Sequence, residues 1–165
     1  LNVTARLAAV GSSLSDISIP EPNYLIPSSY GSFELKHKES TEFIGQTIDY
    51  SNPTKKIPLI NLDSLELQRV DFIKIDVEGS EPKVLEGAKE IMQKSNQLKI
   101  FTEFNREAVE KYGVEPKEMI DLLYRNGFKI YLPNYKENKI NLTNVNELLT
   151  SKETLLENIN LLCKK

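Results

Sequence analysis

The chain has 165 residues, a length that suits one domain with a single hydrophobic core. Hydrophobic residues make up 39 %, charged residues 27 %, and the net charge is -3, so the overall field does not attract nucleic acid or an anionic membrane. No apolar run approaches the roughly 20 residues of a membrane-spanning helix, and the single cysteine, Cys163, favours a reducing compartment. We therefore expect a cytoplasmic protein without nucleic-acid or membrane partners; the sequence leaves the oligomeric state open.

The first part of the chain predicts short strands separated by polar segments that contain proline. These predicted strands cover residues 3–10, 17–19, 33–36, 42–48 and 55–62. Asp63 and Ser64 follow the last of them and can cap a short helical turn. Residues 12–61 contain too many turns for a regular crossover, so we interpret them as a β-rich insertion over one edge of a sheet.

From about residue 70 onwards, predicted strands alternate with predicted helices. The strands cover residues 70–77, 98–104, 128–132 and 159–163, and the helices begin at Ser80, Asn105, Pro116 and Val145. A loop rich in lysine and asparagine is expected after residue 132. Alternation of this kind predicts an α/β fold, a sheet with helical crossovers.

Charged residues crowd the end of the clearest strand, in the stretch K-I-D-V-E-G-S-E that begins at Lys74. Ligands of open α/β sheets bind beyond the carboxyl ends of the strands, which is where Asp76 lies. Lys74 precedes Asp76 by two residues and therefore lies on the same face of an apolar strand, which we expect to be central. Asp76 is the nearest candidate partner for its charge. Gly79 is free to adopt a positive φ angle. Acids before a helix are commonly caps, but the cluster with Lys74, together with Glu78, favours a functional site.

A second strand end repeats this pattern. Glu103 and Asn105 share a face and would lie beside Asp76 if the two strands are neighbours. Capping of the following helix by Glu103 is an equally good interpretation. Asp63 also follows an extended run, and there capping is slightly favoured over a role in a site.

Other kinds of site receive less support. His37, the only histidine, stands in a polar turn and is better explained as a solvated side chain, which argues against a catalytic triad. No Cys/His spacing typical of a metal site is present. Asp76 and Glu78 could hold Mg²⁺ through carboxylate oxygens, although two acids are a weak signal.

Residues 70–88, V-D-F-I-K-I-D-V-E-G-S-E-P-K-V-L-E-G-A, closely resemble the signature of the FkbM-type methyltransferases. The segments L-D-S-L at 62–65 and A-A-V-G at 8–11 are similar to further parts of the family pattern, in the same order. The resemblance implies a Rossmann-like class I methyltransferase sheet that uses S-adenosylmethionine. It also implies O-methylation of a hydroxyl on a sugar or secondary metabolite. Asp76 would end the fourth strand of such a sheet, and Ala9 and Val10 would lie near the adenine of the cofactor.

The sequence departs from that family pattern at its beginning. None of its seven glycines forms the G-x-G of a cofactor-binding turn, and Leu1 and Asn2 would fall just before the third strand of the family sheet. We therefore expect residues 1–165 to be a single, partial methyltransferase domain without its N-terminal strands, and thus an inactive fragment of a longer enzyme or the C-terminal part of an active one.

The leading hypothesis from the sequence is a methyltransferase that acts on a small-molecule or glycan acceptor without a metal. Asp76 would accept a proton from the methyl acceptor or orient it, and would also contact the cofactor. Lys74 would set the charge state of Asp76. Glu78 and Glu103 are second choices for binding the acceptor, and the remaining acceptor-side candidates are Asn105 and Asp63. Two alternatives stay open: a non-catalytic binding module of the same fold, and a Mg²⁺-assisted enzyme with Asp76, Glu78 and Glu103 as ligands.

Overall fold

The computed structural model describes residues 2–34, 44–150 and 158–165. The strands are β1 Ala9–Val10, β2 Ser15–Ile19, β3 Lys55–Ile60, β4 Phe72–Ile75, β5 Lys99–Phe104, β6 Lys129–Asn134, β7 Lys139–Leu142 and β8 Ile159–Lys164. The helices are α1 Glu81–Glu86, α2 Lys89–Lys94, α3 Arg106–Lys111, α4 Pro116–Arg125 and α5 Val145–Thr150. Single 3-10 turns lie at Tyr30–Ser32 and Asp63–Leu65. The fold is mixed α/β, as the alternating pattern predicts.

The larger sheet has five strands in the order β4-β5-β8-β6-β7. β4 and β5 are parallel, and α1 and α2 form the crossover between them. β8 returns between β5 and β6 and runs antiparallel to both, while β7 runs antiparallel to β6. β4, β5 and β6 therefore point the same way, and their carboxyl ends lie at the same edge of the sheet.

The smaller sheet has three strands in the order β1-β3-β2, with β1 parallel and β2 antiparallel to β3. It packs beside α1 through an unusually close backbone contact, because a Cβ atom added at Gly87 would lie 2.1 Å from the carbonyl oxygen of Gly11. Only glycine can occupy position 87 in this arrangement.

The hydrophobic core lies between the larger sheet and the helices. It is formed by one face of the strands together with the apolar faces of α1 to α5. Its fully buried large side chains include Leu85, Met92, Ile100, Phe104, Ile120, Leu123, Ile130 and Leu161. Side chains on the other face of the sheet alternate with these and are exposed or half-buried, as Phe72 at 55 % and Leu142 at 63 % exposure illustrate.

Most predicted elements are present, and the exceptions lie mainly in the first part of the chain. Residues 3–8 and the described parts of the predicted strands at 33–36 and 42–48 are not strands. Val3 and Leu7 are 79 % and 73 % exposed, so the alternation of apolar residues at 3–7 does not correspond to a buried face. The loop expected after residue 132 contains the β6–β7 hairpin instead. His37 and the other residues at 35–43 lie outside the described ranges.

Two further differences concern the region around the signature motif. The helix expected from Ser80 is divided into α1 and α2, because the chain turns at the tightly packed Gly87. Within the described residues β4 is an edge strand, whereas the sequence predicts a central one. Lys74 lies on the face of β4 away from the core, as Phe72 does, so its side chain can point into solvent from an apolar strand.

Candidate active site

The candidate site lies where β4 and β5 end. The parallel register pairs Ile75 with Thr102, so the next residue along each strand, Asp76 and Glu103, comes to the same edge and the same face. Lys74 Nζ lies 2.6 Å from Asp76 Oδ2, in a pair whose side chains are 59 % and 50 % exposed. The predicted partnership of Lys74 with Asp76 is thus observed. Hydrogen bonding and charge attraction by Asp76 raise the pKa of Lys74, and Glu103 adds to this.

The turn after Asp76 holds its backbone in a conformation that side chains rarely adopt. Glu78 has a φ angle of 53° and Gly79 one of 97°. A Cβ atom added at Gly79 would lie 2.8 Å from the Cβ of Ala108 and 2.9 Å from its carbonyl carbon. Glycine is therefore required at position 79 both for its φ angle and for the close approach of α3.

A buried carboxylate closes this turn. Glu81, at 1 % exposure, accepts a hydrogen bond from the backbone N–H of Val77 at 2.9 Å. The hydroxyl of Ser80 donates to the carbonyl of Val77 at 3.1 Å. Ser80 begins α1, as the sequence predicts, but its side chain does not cap the helix. Glu81 and Ser80 together hold the segment from Val77 in place, which fixes the direction in which Glu78 leaves the turn.

Negative charge and burial perturb the acids of the site. The pKa of Glu78 is raised to about 7, first by burial and then by the negative charges of Glu103, Asp76 and Glu81, with Glu34 contributing least. Burial likewise raises the pKa of Glu103, with help from the neighbouring acids, while a hydrogen bond from Asn158 and the charge of Lys74 oppose the shift. Glu78 is thus a carboxyl group that titrates near neutral pH.

Two predicted acceptor-binding residues make backbone hydrogen bonds that stabilise helix starts. Asn105 Oδ1 accepts from the N–H of Ala108 at 3.0 Å and caps α3, while its amide donates to Asn158. The two oxygens of Asp63 accept from the N–H groups of Glu90 and Ile91 at 3.0 and 2.9 Å. Asp63 thus does not cap the short turn Asp63–Leu65 that the sequence assigns to it, but accepts from N–H groups at the start of α2. In the Glu103–Asn105 segment the helix cap is Asn105. A role of either residue in acceptor binding stays a prediction.

The other residues assigned to the cofactor, Ala9 and Val10, lie in a different sheet from Asp76. They form β1, where they pair with Leu59 and Ile60. Ala9 is 6 % exposed, and Val10 packs against the core. Their proposed contact with the adenine stays a prediction.

The structure adds three residues to the neighbourhood of Glu78 that the sequence does not single out. The pKa of Tyr112 is raised to about 12, by burial and by the charges of Glu34 and Glu81, with smaller effects of Tyr50 and Glu78. Glu34 and Tyr50 come from the segment that the sequence assigns to an insertion, and the Tyr50 hydroxyl donates to the carbonyl of Glu34. No motif in the sequence marks these residues, because their proximity to Glu78 arises only in the folded chain.

The described residues contain neither a cluster of metal ligands nor a cysteine activated for covalent catalysis. No group of three or more histidine, cysteine, aspartate or glutamate side chains among them is arranged to hold a metal ion. Cys163 is buried in the core, which raises the pKa of its thiol to about 12 and keeps it protonated. No described helix is both long and apolar enough to cross a membrane.

Four of the described glycines have other parts of the protein close to the position of their missing side chains, while Gly31, Gly113 and Gly127 border open space. Those with tight surroundings face other parts of the protein: Gly11 faces Leu59, Gly45 faces Pro27, Gly79 faces Ala108 and Gly87 faces Gly11. A ligand cradle would need glycines whose missing side chains leave room for the ligand. The four closely packed glycines therefore leave no room for a ligand beside them.

The Methyltransferase FkbM domain family matches residues 5–130, most of the chain and all of the segment that carries the strand-end acids. The chain belongs to the FkbM methyltransferase family. No curated protein and no solved structure gives a significant match.

Proposed function

We propose that the chain serves the transfer of a methyl group from S-adenosylmethionine to a hydroxyl of a sugar or secondary metabolite. The main support for binding and deprotonation of the acceptor hydroxyl comes from the acids at the strand ends. Asp76, Glu78 and Glu103 meet where two parallel strands end, and the pKa of Glu78 is raised to about 7. Membership of the FkbM family supports methyl transfer as the reaction class.

In this proposal Glu78 accepts the proton of the acceptor hydroxyl. S-adenosylmethionine, when bound, supplies an electrophilic methyl group, and the acceptor oxygen must lose its proton as it is methylated. A carboxylate whose pKa lies near the working pH is a better base than an ordinary one, because its conjugate acid is more stable. The proton passes from the acceptor O–H to a carboxylate oxygen of Glu78.

Asp76 takes the orienting role in this scheme. Its ion pair with Lys74 at 2.6 Å holds it in place, so it can accept a hydrogen bond from a second hydroxyl of a polyhydroxylated acceptor. Glu103, on the neighbouring strand, offers a third acceptor group. The rigid turn at Glu78 and Gly79 fixes the base relative to this pair, and such positioning supplies much of the acceleration in group transfer.

The test uses the whole chain and measures S-adenosylhomocysteine release with a panel of neutral sugars and hydroxylated metabolites. Glu78→Gln is expected to lower kcat about 100-fold, the usual contribution of a general base, and to remove the pH dependence near 7. Glu107→Gln on the exposed side of α3 is the matched control. Activity of Glu78→Gln within twofold of the wild-type value would contradict the assignment of the base, and unchanged turnover of a folded Asp76→Ala would contradict the role of Asp76.

A binding module of the same fold that performs no chemistry is the second candidate. The lack of a G-x-G turn in the sequence favours it, as does the edge of β4 that has no paired strand among the described residues. Calorimetry with S-adenosylmethionine on this chain separates the two. Micromolar binding supports the catalytic proposal, and lack of heat at millimolar cofactor supports the binding module.

A further inference from the structure

Lysines from three neighbouring strands line up at the end of the larger sheet opposite the candidate site. The register pairs Lys99 of β5 directly with Lys164 of β8, and Lys164 directly with Lys129 of β6. Directly paired residues lie on the same face of a sheet with Cβ atoms about 5 Å apart. We call Lys99, Lys164 and Lys129 the lysine row.

A surface cleft of about 470 Å³ adjoins the lysine row where β4 and β5 begin. Four cationic residues, two amides and one acid line it: Arg69, Lys99, Lys164, Lys165, Asn96, Gln97 and Asp71. The acid is already engaged, since Arg69 and Asp71 form an ion pair at 2.6 Å.

The lysines that border the cleft have no anionic partner in the part of the chain that the structure describes. Lys164 Nζ lies 5.0 Å from the centre of the Tyr131 ring, and Lys165 Nζ lies over the Phe128 ring and donates to the carbonyl of Met92. No carboxylate among the described residues forms an ion pair with Lys99, Lys164 or Lys165. The acids that do form ion pairs bind other lysines or, in the cleft wall itself, Arg69. The positive charge of this end is therefore not neutralised within the described protein.

Such an arrangement costs folding stability in the absence of a ligand. Like charges placed directly opposite each other in a sheet are destabilising. Packing gives no reason for lysine here, since Lys99 and Lys129 are exposed. A bound polyvalent anion would reverse the sign of the effect, because phosphate oxygens accept charge-assisted hydrogen bonds from several ammonium groups at once.

We propose that the cleft beside the lysine row binds a phosphate-bearing anion, with Lys99 and Lys164 as the binding cations and Asn96 as a neutral donor. This site is at the opposite end of the sheet from Asp76 and Glu78, and it is independent of the methyl-transfer proposal. The phosphate can belong to a soluble oligophosphate compound or to a lipid headgroup, and both present the same charge and the same acceptor oxygens.

Calorimetry with inorganic pyrophosphate at constant ionic strength tests the proposal on the whole chain. We expect saturable one-to-one binding that Lys164→Gln weakens at least tenfold and that sulfate at the same ionic strength does not reproduce. Lys136→Gln, at the tip of the β6–β7 hairpin and thus at the far end of the same strands, is the matched control and should bind like the wild type. Because these lysines are exposed or half-buried, the variants are expected to fold, and Lys99→Gln is the second variant should Lys164→Gln not do so.

Cosedimentation with vesicles of phosphatidic acid, against phosphatidylcholine vesicles as a reference, distinguishes the two sources of phosphate. Binding to pyrophosphate alone assigns a soluble ligand, and binding to the acidic vesicles that Lys164→Gln abolishes assigns a headgroup. The proposal would be overturned if the protein bound neither pyrophosphate nor the phosphatidic acid vesicles, or if it bound sulfate as tightly as pyrophosphate. Equal weakening by Lys136→Gln would overturn it as well, since the effect would then be one of net charge.

Discussion

The two ends of β4 and β5 carry opposite charge and are built by different means. At the carboxyl end, carboxylates are half-buried around a turn with positive φ angles, and burial and mutual repulsion raise the pKa values of Glu78 and Glu103. At the amino end, exposed lysines meet only because the strand register places them side by side. A net charge of -3 describes neither end.

This difference shows how much the backbone contributes to each end. The acidic end depends on a specific turn, a buried Glu81 and the missing Cβ of Gly79, so single substitutions there should act on folding and on the site together. The basic end depends on side chains in solvent, so substitutions there should change binding and salt dependence with little effect on folding. The following predictions test that contrast, beginning with the largest effect.

Glu81→Ala should have the largest effect on stability. It leaves the N–H of Val77 without its acceptor and opens a cavity at a fully buried position. We expect a loss of about 3 kcal/mol in the free energy of unfolding, measured by urea denaturation. Glu81→Gln retains an accepting oxygen and should lose about 1 kcal/mol. A loss of less than 0.5 kcal/mol for the alanine variant would mean that Glu81 does not support the turn.

Gly79→Ala should be markedly worse than Gly113→Ala. Both glycines have positive φ angles, 97° and 74°, but an added Cβ meets Ala108 at 2.8 Å in the first case and nothing within 4 Å in the second. The φ angle alone costs roughly 1 kcal/mol, and the steric overlap should add about 2 kcal/mol at Gly79. Equal stability losses in thermal or urea unfolding would show that α3 can move away from the turn.

The raised pKa of Glu78 predicts a pH-dependent stability. The folded protein holds the Glu78 proton up to about pH 7, whereas the unfolded chain releases it near pH 4.5. The folded state thus binds more protons between these values, so stability from this group is fully present below pH 4.5 and falls as the pH rises to 7. Allowing for solvent screening of a half-exposed group, we expect a fall of roughly 1 to 2 kcal/mol.

Glu78→Gln isolates this effect because it cannot ionise. The variant should match the wild type at pH 4 and exceed its stability at pH 8, while losing activity. Glu107→Gln, a substitution at an exposed position, should show the same pH dependence of stability as the wild type. Urea unfolding at several pH values measures the stability of both variants. If the free energy of unfolding changes with pH equally in the wild type and in Glu78→Gln, the raised pKa of Glu78 is contradicted.

The smallest expected effect is at the basic end. Lys99→Gln removes one of the like-charge pairs of the lysine row and should stabilise the protein by about 0.5 kcal/mol at low ionic strength. The gain should shrink in 1 M salt, where charge interactions are screened within about 3 Å. Lys136→Gln serves again as the control, and a salt-independent gain would mean that the charge of Lys99 is not the cause.

Much of the second half of the fold follows from local sequence. The period of the apolar residues places Met119, Ile120 and Leu123 in the core and Gly127 at the end of α4, where its φ angle is 83°. The alternating strands and helices predict the parallel pair β4–β5. Such patterns are readable because each residue's environment repeats along its own element.

The first part of the chain could not be predicted in the same way. Apolar residues at 3–7 alternate like a strand but are exposed, since pairing requires a partner strand that the local pattern does not specify. The β7 strand was missed for the converse reason. Its four residues are all exposed, so no hydrophobic alternation marks it, and it exists through its hydrogen bonds to β6.

The sequence by itself determined the family, the strand that ends at Asp76, and the pairing of Lys74 with Asp76, because these depend on neighbours within a few residues. Tertiary structure alone decided which acids face each other and which lysines do. The pKa of Glu78 depends on its burial and then on the charge of Glu103, and the lysine row depends on β8 lying between β5 and β6. Charge interactions act through space, and strand register sets that distance, so neither end of the sheet could be assembled from local sequence.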